Sequence, residues 1–110
     1  MVKQLTFSDL TELSIHIERF AKTLRKKPIA KAYVIVYERR LTNEYMQPAS
    51  FILDFAKREL RRAKIASNRI VGTEGGFRED LMVELFIVPR GAVLPVPTPT
   101  IDAKGINFKN

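Results

Sequence analysis

The chain has no cysteine and a single histidine. The first absence excludes a disulfide framework and a thiolate zinc site, and it leaves the redox compartment undecided. The histidine, His16, lies off the apolar stripe of the first predicted helix. It has no evident nucleophile to serve and no companion ligands for a metal, so it reads as a surface or boundary residue and no cofactor is expected. No apolar run approaches the ~20 residues that span a bilayer, so no transmembrane segment is expected. The N-terminus, MVKQLTFSDL, lacks the apolar stretch of a signal peptide. Periplasm or cell envelope is expected if a leader precedes the chain, and cytoplasm otherwise. No internal repeat is evident.

What remains is an ordinary single-domain composition: 110 residues, 45% hydrophobic and 28% charged. That length supports a real but modest core. The net charge of +7 favours anionic partners such as nucleic acid, acidic lipid or wall polymer. Its distribution is uneven. Lys57, Arg58, Arg61, Arg62, Lys64 and Arg69 crowd one segment against Glu59. Glu74, Glu79, Asp80 and Glu84 follow against Arg78, so the molecule is expected to be polarised.

Periodicity orders the elements. Residues 3–7 suit a short edge strand. Ser8 fits a helix N-cap, with Asp9 and Glu12 in the first turn, where negative charge complements the helix dipole. Leu10, Leu13, Ile17, Phe20, Ala21 and Leu24 recur at helical spacing, and Pro28 ends that helix. Residues 30–39 are nearly continuous in apolarity, the pattern of a central strand. Pro48 opens a second helix whose buried face carries Phe51, Ile52, Phe55, Ala56, Leu60 and Ala63, with Asp54 and Arg58 spaced for an ion pair. Ser67-Asn68 make a turn into a short strand over residues 69–73. Gly75-Gly76 then predict a hairpin turn into a strand over residues 81–88. In that last strand Val83, Leu85 and Ile87 share one face with Leu81, whereas Met82, Glu84, Phe86 and Val88 share the other.

A crossover helix makes its flanking strands parallel. The expected fold class is therefore α+β, an α/β two-layer sandwich with α-β-α-β-β order, a mixed sheet and two helices on one face. Residues 1–90 form the domain, and 91–110 a Pro/Thr-rich tail that is extended and partly mobile. The uncovered sheet face near Tyr33 and Val34 is expected to be semi-exposed or covered by a partner, with a homodimer as one way of covering it.

Chemistry-bearing patterns are sparse. Glu38 and Glu44 could in principle flank a cleft as paired acids, yet most acids have basic neighbours and no spacing suggests a reaction. The chain therefore reads as non-enzymatic. Gly72-Thr-Glu-Gly-Gly superficially resembles a phosphate cradle, but a strand follows where a helix N-terminus would be needed. The basic helix offers an alternative: Lys57, Arg58, Arg61, Arg62 and Lys64 along nucleic-acid phosphates, with Tyr33, Tyr37 and Phe86 stacking bases. Neither aromatic strand matches the RNA-recognition signature.

Several local patterns carry a family resemblance. Ala56, Lys57 and Leu60 supply A-K-x-x-L; Ser67, Arg69 and Ile70 an x-S-x-R-I turn; Val83, Glu84 and Leu85 a V-E-L strand. Tyr45, Gln47 and Ser50 sit compatibly before the second helix. In this layout residues 8–100 resemble the OmpA-like C-terminal domain. VELFIVPRGAVLPVPTPT is similar to the ending of a divergent, solitary branch. The resemblance implies an outer-membrane or envelope module that attaches to a peptidoglycan peptide or a partner protein. Family members grip the wall peptide with an Asp after the first strand and an Arg in the following helix. Here the Asp position falls on Glu38 or its neighbour, and the Arg position on Ile52 or Leu53, which cannot bind a carboxylate bidentately. The resemblance thus implies a degenerate ligand site, with Glu38, Arg39, Arg40, Tyr45 and Gln47 as the contact loop.

Overall fold

The structure is a computed structural model that describes residues 2–5, 9–39 and 48–100. Its elements are β1 (Val2–Leu5), α1 (Leu10–Arg25), β2 (Lys31–Arg39), α2 (Ala49–Arg62), β3 (Ile70–Arg78) and β4 (Met82–Val88), with a 3-10 turn at Ser67–Arg69 before β3. The expected α+β class and mixed sheet are present, and the short N-terminal strand joins them. The four strands run in the order β1-β4-β2-β3. β2 pairs in parallel with β3 and antiparallel with β4, and β1 pairs antiparallel with β4.

The expected Gly-Gly hairpin is corrected. Gly75 and Gly76 lie inside β3, which continues to Arg78, and the chain turns at residues 79–81. β3 and β4 are not neighbours, because β2 lies between them. Burial explains the order. β4 buries Val83, Glu84, Leu85, Ile87 and Val88 on its two faces, so it needs an interior place. β3 carries three glycines, Gly72, Gly75 and Gly76, and an exposed Glu74, which suit an edge.

Alternation divides the sheet cleanly. Ala32, Val34 and Val36 of β2, paired with Ile87, Leu85 and Val83 of β4, join the core beneath the helices. Leu13, Ile17, Phe20, Ala21 and Leu24 of α1 and Ile52, Leu53, Ala56 and Leu60 of α2 complete it. Both helices therefore cover one face, as their spacing predicts. Phe51, expected on the buried face of α2, is exposed instead.

Asp9, not Ser8, caps α1, and its Oδ1 accepts from the Glu12 N–H at 2.8 Å. Ser8 lies outside the described residues. On α2, Glu59 pairs with Arg62 at 3.2 Å. The predicted Asp54–Arg58 pair is not among the ion pairs of the described residues.

The second sheet face is also covered within the chain. Ile35 and Tyr37 are fully buried there, so neither needs a partner molecule to leave water. After β4 the tail reaches this face again: the Thr98 N–H donates to the Tyr37 hydroxyl at 3.0 Å, and the Thr100 N–H to the Phe77 carbonyl at 3.0 Å. Proline suits such a path because its fixed φ favours extended backbone.

The β3 glycines make this face possible. A Cβ on Gly75 would lie 2.6 Å from the Tyr37 ring, and Gly76 takes φ +97°, a left-handed conformation. Between them β3 gains one residue against β2, so Val36 pairs with Glu74 but Glu38 with Phe77. This bulge moves Arg78 onto the face that carries Tyr37. Gly75→Ala should therefore destabilise the fold by about 1–3 kcal/mol through overpacking, measured as the urea midpoint at unchanged slope.

Candidate functional site

The ligand site implied by the resemblance lies where β2 ends and α2 begins. Glu38 is half-exposed and Arg39 exposed at the end of β2. Alternation along β2 puts Glu38 on the helix side and Arg39 on the Tyr37 side, opposite Arg78 in register. Arg40, Tyr45 and Gln47, like Glu44, lie outside the described residues. Pro48 occupies the N-cap of α2 and gives no side-chain cap. Ile52 and Leu53, onto which the resemblance carries the family's helix arginine, are buried in the core. The space that a guanidinium would need is filled by packing.

The basic residues of α2 occupy the side of the helix away from the core. Arg58, Arg61 and Arg62 are exposed and Lys57 is half-buried, and Lys64, just past the helix end, is exposed. Arg62 is paired with Glu59, which also accepts from the Ser14 hydroxyl at 2.5 Å. Of the aromatics proposed to stack bases, Tyr37 is fully buried, whereas Tyr33 and Phe86, on the same sheet face as Tyr37 and away from the helices, are half-buried. Helix charges and sheet aromatics therefore lie on opposite sides of the sheet. They do not converge on one nucleic-acid groove.

His16 is half-exposed. Its Nε2 stands 3.9 Å from Glu12, and its Nδ1 is buried without a hydrogen-bond partner. Among the described residues no three His, Cys, Asp or Glu side chains gather as a metal site. A mixed-charge groove of about 510 Å³ runs between the helices past Ser14, Glu18, Arg25, Glu59 and Lys64. Its Arg25 is engaged with the Ala63 carbonyl at 2.6 Å.

Two constellations escape the sequence reading. The first surrounds Glu84, only 4% exposed in the middle of β4. Tyr37 donates to its Oε1 at 2.7 Å, and Arg78 approaches Oε2 at 3.5 Å. The Arg78 guanidinium lies 3.7 Å from the Tyr37 ring centroid and donates to the Thr98 carbonyl at 3.1 Å and to the Thr98 hydroxyl. A cation over an aromatic face, with a carboxylate alongside, is a well-matched set in a desolvated place. Its visible task is to hold the tail. The signal for it in sequence was slight: one acid on the buried-strand pattern VELFIV.

The second constellation is centred on Arg69. Its guanidinium donates to the carbonyls of Leu24, Lys27 and Ala30 at 3.2, 2.8 and 3.0 Å. Those oxygens lie at and beyond the carboxyl end of α1, where backbone acceptors lack helical partners. One side chain thus ties the entrance of β3 to the loop between α1 and β2. The R-I pair of the turn motif marks the position but does not reveal the role.

No protein-family model matches this chain, and no curated protein matches it. Solved structures do. The periplasmic domain of Helicobacter pylori MotB, solved as residues 97–256, superposes with a TM-score of 0.65 at 16% identity, covering 82% of this chain and 81% of that one. A second form, residues 78–256, gives a TM-score of 0.66 at 14% identity over 82% and 76% of the two chains.

Removal of the Tyr37 hydroxyl leaves both Glu84 and the Thr98 N–H short of a partner. Tyr37→Phe is expected to cost about 1–3 kcal/mol in urea unfolding and to speed hydrogen exchange at the Thr98 amide. Arg69→Ala, which removes three hydrogen bonds, is expected to cost about 2–3 kcal/mol in the same assay, and Lys at this position restores little because it lacks the planar fork. At this level of identity the comparison speaks to architecture, and the architecture agrees with the residue pattern: this chain has the fold of the MotB periplasmic domain, a divergent OmpA-like arrangement.

Proposed function

We propose that this protein is a non-catalytic binding module of the cell envelope that associates weakly with peptidoglycan through the end of β2 and the start of α2. The observation that carries this reading is the placement of Glu38 on the helix side at the end of β2, where the chain crosses into α2, in a fold shared with a periplasmic domain. A wall peptide presents both amines and carboxylates. Glu38 suits the amine, and the first-turn N–H groups of α2, which no side chain caps, suit a carboxylate, while Arg39 adds positive charge from the other sheet face at the same end. Arg40, Tyr45 and Gln47 belong to the same proposed contact loop, and a partner protein docking there would use the same charges.

The burial of Ile52 and Leu53 bears on strength. Without a helix arginine the carboxylate loses a bidentate partner, so the dissociation constant is expected near ~1 mM, where binding free energy is only ~4 kcal/mol. Titrating soluble muropeptides while following amide resonances tests this. Residues 38–50 should shift in a saturable manner, and Glu38→Gln with Arg39→Gln should flatten the response. Unchanged spectra at millimolar muropeptide would remove wall binding as the function.

A further inference from the structure

The end of the molecule remote from that site has a different surface. β2 and β3 begin there, β4 ends there, and both helices terminate there, so the chain delivers its basic helix tails to one pole. Lys26, Lys27, Lys31, Arg61, Lys64 and Arg90 are all exposed there, and none of these side chains has an ion-pair or hydrogen-bond partner among the described residues. The acids in the last two turns of the helices are Glu59, held by Ser14 and Arg62, and Glu18, about two turns up α1 from its end. Asp9, Glu79 and Asp80 lie at the opposite pole.

Amid these cations the surface is apolar. Lys27, Pro28, Ile29, Ala30, Pro89 and Arg90 line a groove of about 410 Å³. Ile29 is 66% exposed beside it; past the turn closed by the Ala92 N–H on the Pro89 carbonyl, Val93 is 93% and Leu94 58% exposed. Arg69 ties this loop down through the Lys27 and Ala30 carbonyls on either side of Ile29.

We propose that this pole docks on an anionic lipid surface, with Ile29, Val93 and Leu94 entering the headgroup–acyl boundary and the ring of lysines and arginines meeting lipid phosphates. Charge complementarity and aliphatic character together select this occupant. A nucleic acid would use the cations but gain nothing from exposed aliphatic side chains, since its bases stack on aromatic ones. An anionic leaflet rewards both, each basic residue at its surface strengthening binding by about fivefold. Two separate signals, apolar insertion and a polybasic patch, give stable membrane attachment where one alone is marginal. The lipid pole and the proposed wall-contact pole face away from each other, so the two associations do not compete for surface.

Co-sedimentation of the full chain with vesicles tests the proposal. Binding is expected to vesicles containing equal parts phosphatidylglycerol and phosphatidylcholine and not to phosphatidylcholine alone, with affinity falling about tenfold or more when salt is raised from about 50 to about 300 mM. Lys26→Glu with Lys27→Glu should abolish it. Ile29→Asp with Leu94→Asp, both at exposed positions, should weaken it by about tenfold while the circular dichroism spectrum stays unchanged. Failure to bind the anionic vesicles overturns the proposal. So does undiminished vesicle binding by the Ile29→Asp, Leu94→Asp variant, or binding to a DNA duplex with vesicles ignored.

Discussion

A carboxylate buried in the middle of β4 is the constraint around which the rest of the sheet is arranged. Taking Glu84 out of water costs several kcal/mol unless its oxygens are met by donors. Tyr37 meets one oxygen from the neighbouring strand, and Arg78 approaches the other from β3, across β2. For Arg78 to be on that face, β3 must carry an extra residue, and for the Tyr37 ring to lie flat beneath it, β3 must have no side chain at Gly75. The tail then closes the group with Thr98. One polar side chain thereby couples a bulge, a bare glycine and a distant extended segment.

The two faces of the sheet are consequently held by different physics. Beneath the helices the core is apolar and follows from alternation, with Val34 against Leu85 and Val36 against Val83. Such a core tolerates substitution of like size because nothing in it is directional. The opposite face depends on hydrogen bonds and a stacked cation, whose geometry is exacting. Substitution at that face therefore affects specificity of structure as well as stability.

The residues that could be read from sequence are those whose role depends on near neighbours. The stripe from Leu13 to Leu24, the buried run of β2, the stop at Pro28 and the parallel crossover all follow from local spacing. The errors came where distant parts decide. Gly75-Gly76 carries a turn signal, but it is a bulge because Tyr37, far back in the chain, needs room. β4 takes a place between β1 and β2, which only the burial of both its faces could indicate. Arg69 looked like one more surface cation, yet its three acceptors lie 39–45 residues earlier. Of the expected contact residues, Glu38 and Arg39 stand at the end of β2, as the strand pattern places them, and the aliphatic pair Ile52 and Leu53 is visible in the sequence itself.

The pairing of β1 with β4 also fixes an order of events in time. Val2 and Leu5 find their partners at Phe86 and Val83. The first strand can therefore find its place only after most of the chain has been synthesised, whereas α1 and β2 can associate far earlier. Because closing such a long loop costs entropy before any contact rewards it, the open edge of β4 waits for its cover. During that interval β4, rich in valine, leucine and isoleucine, is an exposed template for another chain. A segment exposed to aggregation while that loop closes is thus an interior strand of the finished sheet.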